Sequence, residues 1–137
     1  TSNLLLHGAI DDVWKTEEGQ LIVVDYKATS KKDKVNIHAP WQRGYKRQIE
    51  FYQWLLRKNG FKVSDTGYFV YCNGKRNLDT FNGRVEFDVD LLSYNGNDGW
   101  VEDTVKEIAG CLNQNSLPLP DERCEQCKYN QTVVKYY

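Results

Sequence analysis

Methionine is absent from the chain, which opens at Thr1. The sequence is therefore expected to be an excised or processed piece of a longer protein. No apolar run approaches the roughly 20 residues that span a bilayer. The longest candidate, Leu21-Ile22-Val23-Val24, is expected to be a buried strand. No basic-then-apolar leader is present, so no secretory signal, no membrane partner and an intracellular, cytoplasmic location are expected. Cysteine is sparse, with four residues. Without a leader a disulfide framework is not expected. Cys72 falls in an apolar strand pattern and Cys111 in a helical one, so both are expected to be core thiols. An excess of either charge is also lacking: 18 Lys and Arg face 19 Asp and Glu. Bulk charge thus argues neither for nor against a nucleic-acid partner. No internal repeat or low-complexity tract occurs.

What is present fits one globular domain of 137 residues, long enough to bury a core without staples. Residues 118–137 read as a C-terminal tail. Charge is unevenly distributed. Lys27, Lys31, Lys32 and Lys34 are clustered, and Arg43, Lys46 and Arg47 follow. The acids gather in the C-terminal half, as in Asp98, Glu102, Asp103 and Glu107. A basic lip on a neutral protein can bind phosphates, although such runs are often only solvated.

The pattern predicts a strand from Leu4 to Trp14, a turn at Thr16 to Gln20, and a strand from Leu21 to Lys27, together a hairpin. A polar loop runs from Ala28 to Pro40. Tyr45, Ile49, Tyr52 and Leu56 recur at helical spacing within a helix from Trp41 to Asn59, which Gly60 stops. Strands are predicted from Val63 to Cys72 and from Phe81 to Val89, with a turn signal at Asn73-Gly74 between them. Val101, Val105, Ile108 and Leu112 form the stripe of a helix from Val101 to Leu112. Leu117-Pro118-Leu119-Pro120 breaks the pattern before a Cys124-Glu125-Gln126-Cys127 tail. The order strand, strand, helix, strand, strand, helix gives an α/β domain around a mixed sheet flanked by helices.

Three short segments carry chemistry. Side chains alternate along a strand, so Asp25 and Lys27 point to one side. Pairing around Glu17 to Gly19 brings Asp11 opposite the Asp25 region. Two carboxylates this close repel, and a divalent cation removes the conflict. Hard oxygen ligands suit Mg²⁺ or Mn²⁺. Lys27 beside them could orient or deprotonate an attacking water, or offset charge on a phosphate. The bland reading is an Asp25–Lys27 salt bridge with Asp11 and Asp12 ending an edge strand; a buried pair of that kind is costly. Gln48 and Tyr52, four apart, share a helix face. Alone they would read as a boundary residue and a core aromatic. Trp41 and Tyr45, near the basic loop, could stack on unpaired bases.

Gly8-Ala9-Ile10-Asp11 resembles the GxxD motif of the PD-(D/E)XK nuclease superfamily, Asp25-Tyr26-Lys27 its (D/E)xK motif, and Gln48 to Tyr52 the QxxxY motif of its RecB-like and CRISPR-associated exonuclease branch. A lone DxK is weak; three motifs in order are specific. The resemblance runs from about Leu4 to Tyr129. It implies a restriction-endonuclease-like core and a Mg²⁺- or Mn²⁺-dependent deoxyribonuclease, an exonuclease serving DNA repair, recombination, phage or CRISPR DNA processing. It implies that Asp11, Asp25 and the backbone carbonyl of Tyr26 hold the metal. Lys27 would assist the water, and Gln48 and Tyr52 would line the site. DNA contacts are expected from Lys31, Lys32, Lys34, Arg43, Lys46 and Arg47, and a helicase or other recombination protein is an expected partner. The alternative is a nuclease-like module that binds DNA without cutting it.

The sequence departs from the family pattern twice. The family normally has a helix before the GxxD strand, often with a His or Glu completing the metal shell, and this helix is missing from the chain. His7 shares strand parity with Asp11 but would lie roughly 13 Å away along a strand, so a strand-edge or substrate contact is expected of it. Many relatives also close with a cysteine cluster that holds iron and sulfur. Cys124 and Cys127 match part of that set and read as its remnant. Two thiolates do not make a Cys₄ cluster or a closed zinc site, so an iron–sulfur cluster is not expected.

Overall fold

The computed structural model describes residues 3–134 except 79, 81 and 82. The chain divides into two compact units: residues 4–103 and, among the described residues, Asn3 with residues 104–134. In the first unit, β1 (Asp12–Lys15), β2 (Leu21–Thr29), β3 (Thr66–Gly74) and β4 (Phe87–Asn95) form one sheet in the order β1-β2-β3-β4. The outer pairs are antiparallel and β2 and β3 are parallel. Parallel strands need a long crossover. Here it contains a 3₁₀ turn (Pro40–Gln42) and α1 (Arg43–Lys58). The expected α/β class with a mixed sheet is the observed one. α2 (Val101–Leu112) runs across the division between the units, and α3 (Glu125–Val133) lies in the second.

Alternation along β2 decides what the core and the site share. Val23, Asp25 and Lys27 face one way. In β3 the facing set is Gly67, Phe69 and Tyr71, with Phe69 opposite Asp25 and Tyr71 opposite Lys27. This face lies against α1: Val23, Ile49, Phe69 and Tyr71 are buried together with Val35 and Ile37 from the β2–α1 loop. That loop is thus pinned by two apolar side chains despite its polar composition. Gly67 permits the close approach, since a Cβ there would meet Ile49 Cγ2 at 2.7 Å and the Val23 carbonyl at 3.1 Å. α1 ends as Gly60 takes φ +85, with its N–H donating to the Arg57 carbonyl at 2.9 Å.

Three polar side chains of α1 hold the segments that lead into β3 and out of β4. Glu50, 7% exposed, accepts from Tyr94 Oη at 2.6 Å, Trp100 Nε1 at 2.7 Å and the Asn97 N–H at 3.2 Å. Burial and the Glu50 carboxylate push the Tyr94 phenol up to about 12. Gln53 donates to the carbonyls of Ser64 and Asp65, and Arg57 bridges Asp65 and Asp98. Glu50→Ala leaves three donors without their acceptor. It is expected to cost on the order of 3 kcal/mol and lower Tm by roughly 10 °C, read by circular dichroism. An unchanged Tm would show that water replaces the carboxylate freely.

Several element boundaries differ from expectation. Leu4 to Trp14 is not one strand: only Asp12–Lys15 pairs with β2. Leu5 is 87% exposed, and the chain leaves the ladder so that Gly8 meets Tyr52 and Ile10 packs on the core. Asn73-Gly74 is not a turn but the end of β3, with Asn73 opposite Asp88 and Gly74 opposite Phe87. The last strand runs from Phe87 to Asn95 rather than from Phe81 to Val89; residues 81 and 82 lie outside the described residues. Val85 is 59% exposed and precedes the strand. The C-terminal tail, for which no element was expected, contains α3. Cys72 and Cys111 are half-buried rather than core thiols.

Candidate active site

The end of β2 that faces α1 gathers all five residues expected to do the chemistry. Asp25 is buried to 2% exposure directly after Val23 and Val24. Lys27 Nζ lies 2.5 Å from Asp25 Oδ2. The same ammonium donates to Gln48 Oε1 at 3.4 Å and sits 4.4 Å from the centre of the Tyr45 ring. Gln48 Nε2 in turn donates to Tyr52 Oη at 3.4 Å. Asp11 precedes β1, one residue beyond the Asp12–Val24 pair, and its Oδ2 accepts the Tyr26 N–H at 2.9 Å. It thereby reaches the Asp25 side of the strand. Asp12 goes the other way, accepting from Tyr26 Oη and Trp14 Nε1, both at 3.0 Å. Those hydrogen bonds, the tyrosine's first, hold the Asp12 carboxyl below its ordinary range.

Burial pushes the Asp25 carboxyl above its ordinary value. Lys27 opposes the rise, and the nearby Asp11 carboxylate adds to it. Asp25 Oδ2 is met by the Lys27 ammonium at 2.5 Å. A buried carboxylate with a second acid beside it is a costly salt bridge and offers the hard oxygens that suit a divalent cation. The donor chemistry of Asp11, Asp25 and the Tyr26 carbonyl fits Mg²⁺ or Mn²⁺. Among the described residues, no three His, Cys, Asp or Glu side chains gather as a metal site.

Gly8 belongs to this site by packing. A Cβ on it would lie 2.5 Å from Tyr52 Cε1, so the ring and the Gly8-to-Asp11 segment fit only with hydrogen at that position. Gly8→Ala is expected to displace Tyr52 or Asp11. Cleavage should then fall about tenfold to a hundredfold while circular dichroism stays native. A wild-type rate would show that the contact does not position the site.

The other candidates are spread more widely. Lys31 lies over the exposed Trp41 ring at 5.0 Å, and Lys32, Lys34 and Arg43 are exposed. Lys46 and Arg47 point elsewhere on α1, over the rings of Tyr94 (5.5 Å) and Trp100 (5.2 Å). His7 is exposed and outside any strand. Cys124 caps α3, its Sγ accepting the Cys127 N–H at 3.4 Å, which holds the thiol below its ordinary value. Sequence reasoning missed Tyr45 as the ring under Lys27. The signal was its place one turn before Gln48 on the motif-bearing face. It missed Glu50 altogether, because nothing local marks an acid whose partners are more than 40 residues away.

Asp25 and Lys27 on a central strand, with Asp11 beside them and a helix backing the mixed sheet, fit a restriction-endonuclease-like α/β fold. A family model for the PD-(D/E)XK nuclease superfamily matches residues 2–132, and the chain belongs to that superfamily. Its members are generally phosphodiesterase nucleases that typically use divalent metals. No curated protein and no solved structure matches the chain. Among the described residues, no helix is long and apolar enough to cross a membrane.

Proposed function

We propose that this chain is a Mg²⁺- or Mn²⁺-dependent deoxyribonuclease of the RecB-like type, acting as an exonuclease in DNA repair, recombination, phage or CRISPR DNA processing. The observation that carries the reading is Asp25: buried, and set between Asp11 and Lys27. Asp11, Asp25 and the Tyr26 carbonyl would hold the cation, which when bound supplies Lewis acidity at the phosphate and lowers the pKa of a coordinated water. The remaining work falls to side chains. Lys27, fixed between Asp25 and Gln48 and over Tyr45, offers positive charge to the phosphoryl oxygens and a hydrogen bond that orients the attacking water. Gln48 and Tyr52 form the polar wall that positions the strand, and the fixed Gly8 contact keeps that wall in place.

The test is incubation of end-labelled linear DNA and covalently closed circular DNA with Mg²⁺, Mn²⁺ or EDTA. Loss of linear DNA alone, and only with metal, is expected. Cutting of the closed circle would contradict exonuclease action. Binding without any cleavage would favour the non-cutting module.

A further inference from the structure

We infer that the loop after β2 and the connecting-loop end of the β3–β4 pair form a docking track for an unpaired DNA strand, with Trp41 as its base-stacking platform. The track's place relative to the scissile bond rests on the nuclease reading; its ability to bind does not.

The track starts at Lys27 and is continuous by contact. Lys27 lies over Tyr45; Tyr45 meets Trp41 edge to face with ring centres 5.5 Å apart; Lys31 lies 5.0 Å over Trp41. Trp41 is 59% exposed, so its ring is available to a base. Lys31 is then fixed to the hairpin. Its N–H donates to Asn73 Oδ1 at 2.8 Å, and Asn73 Nδ2 donates to its carbonyl at 3.2 Å. Ser30 adds a bond to the Gly74 carbonyl at 3.0 Å. Asn73 is thus a positioning residue that joins two basic segments across the parallel β2–β3 pair.

Between those segments is a cleft of about 280 Å³ whose lining among the described residues includes Lys31, Lys32, Lys75 and Arg76, with Asp88 as its acid and Asn73, Asn77 and Leu78 as neutral neighbours. Lys75 is engaged by Asp88 at 3.2 Å and Glu86 at 3.8 Å. Among the described residues, no acid forms an ion pair with Lys31, Lys32 or Arg76, so the cleft carries excess positive charge. Exposed cations around a concavity, next to an exposed aromatic, match a phosphate backbone with splayed bases. They do not match an apolar or acidic-poor protein surface. Tyr71 is in register with Lys27, and Lys75 lies four residues further along, about 13 Å at strand rise.

The experiment is fluorescence anisotropy with the full chain in EDTA, which separates binding from cleavage. A labelled oligothymidylate of twelve nucleotides and a blunt duplex serve as probes. Trp41→Ala should weaken twelve-nucleotide binding about 5- to 150-fold, and Trp41→Phe should recover most of the loss. Arg76→Ala should flatten the salt dependence by about 0.7 on logarithmic axes, the share of one phosphate on a single strand. Twelve-nucleotide binding by Trp41→Ala at wild-type affinity would overturn the track, as would equal losses on the blunt duplex or an unchanged salt slope for Arg76→Ala. If the chain cleaves no DNA yet shows these losses, the nuclease reading fails and the track stands. If it cleaves while both variants bind as wild type, the reverse holds.

Discussion

Asp25→Asn is expected to abolish metal-dependent cleavage without weakening the fold. Losing a partner outside a metal's ligand shell typically costs 10–100-fold. Losing a carboxylate expected to hold the metal should exceed that, on the order of 10³-fold. The stability side follows from burial. The folded state holds the Asp25 proton above the ordinary carboxylate value of 3.8, because desolvation and Asp11 outweigh Lys27. In the window between the unfolded and the raised folded value, the folded chain binds more protons. Stability from this group is therefore present at the acid end and is lost as pH rises through the folded value. Asparagine removes that dependence. In EDTA the variant should melt at or above the wild-type temperature near neutral pH, and the difference should close towards pH 4. Added Mn²⁺ should stabilise the wild type alone, since a ligand raises Tm only for a state that binds it. A variant that still cleaves, or one that melts well below the wild type at neutral pH, would contradict this assignment.

Lys27→Met should also cost about 10²- to 10⁴-fold in cleavage, the span expected for a positioned proton-transfer or charge-bearing side chain. Its effect on folding should have the opposite sign. Removing the ammonium leaves the Asp25 carboxylate buried and uncompensated. The single variant should therefore lose stability in EDTA. The double variant, Asp25→Asn with Lys27→Met, should regain it while remaining inactive. That non-additivity distinguishes an ion-paired couple from two independent contributions. Lys27→Arg should not restore activity, because the bulkier planar guanidinium cannot reproduce the compact ammonium set between Asp25 Oδ2 and Gln48 Oε1. Equal stability losses in the single and double variants would separate Asp25 and Lys27 energetically and remove the reason for treating them as one site.

The candidate site was more legible in the sequence than the fold's edges, and the reasons are physical. Asp25 and Lys27 could be placed on one face because strand alternation admits no other arrangement. Gln48 and Tyr52 followed from the four-residue spacing, and α1 ended at Gly60, where a positive φ was needed. Asp11 came out opposite Asp25 from hairpin register alone. Leu4-Leu5-Leu6 has strand composition, yet among the described residues it pairs with no strand and β1 begins at Asp12. What orders this segment is the Gly8–Tyr52 contact, which depends on α1 being in place. Val85, Phe87 and Val89 alternate as a strand does, but Leu91 and Ser93 continue the same alternation, and β4 runs from Phe87 to Asn95. Asn73 has turn chemistry by type, yet it spends its side chain on the Lys31 backbone and its main chain on the ladder. α3 gave no signal because it buries no residue and so needs no apolar stripe. Glu50, Gln53 and Arg57 act across the fold, and only the tertiary structure shows what an acid buried in α1 is for.

The account turns on whether Asp11 and Asp25 share a cation. The most direct measurement is anomalous diffraction from crystals of the wild type and of Asp25→Asn soaked in Mn²⁺. The wild type should show one manganese between the Asp11 and Asp25 carboxylates, and the variant should show none there. Manganese bound elsewhere, or no manganese at that position in a protein that still cleaves DNA, would contradict the assignment.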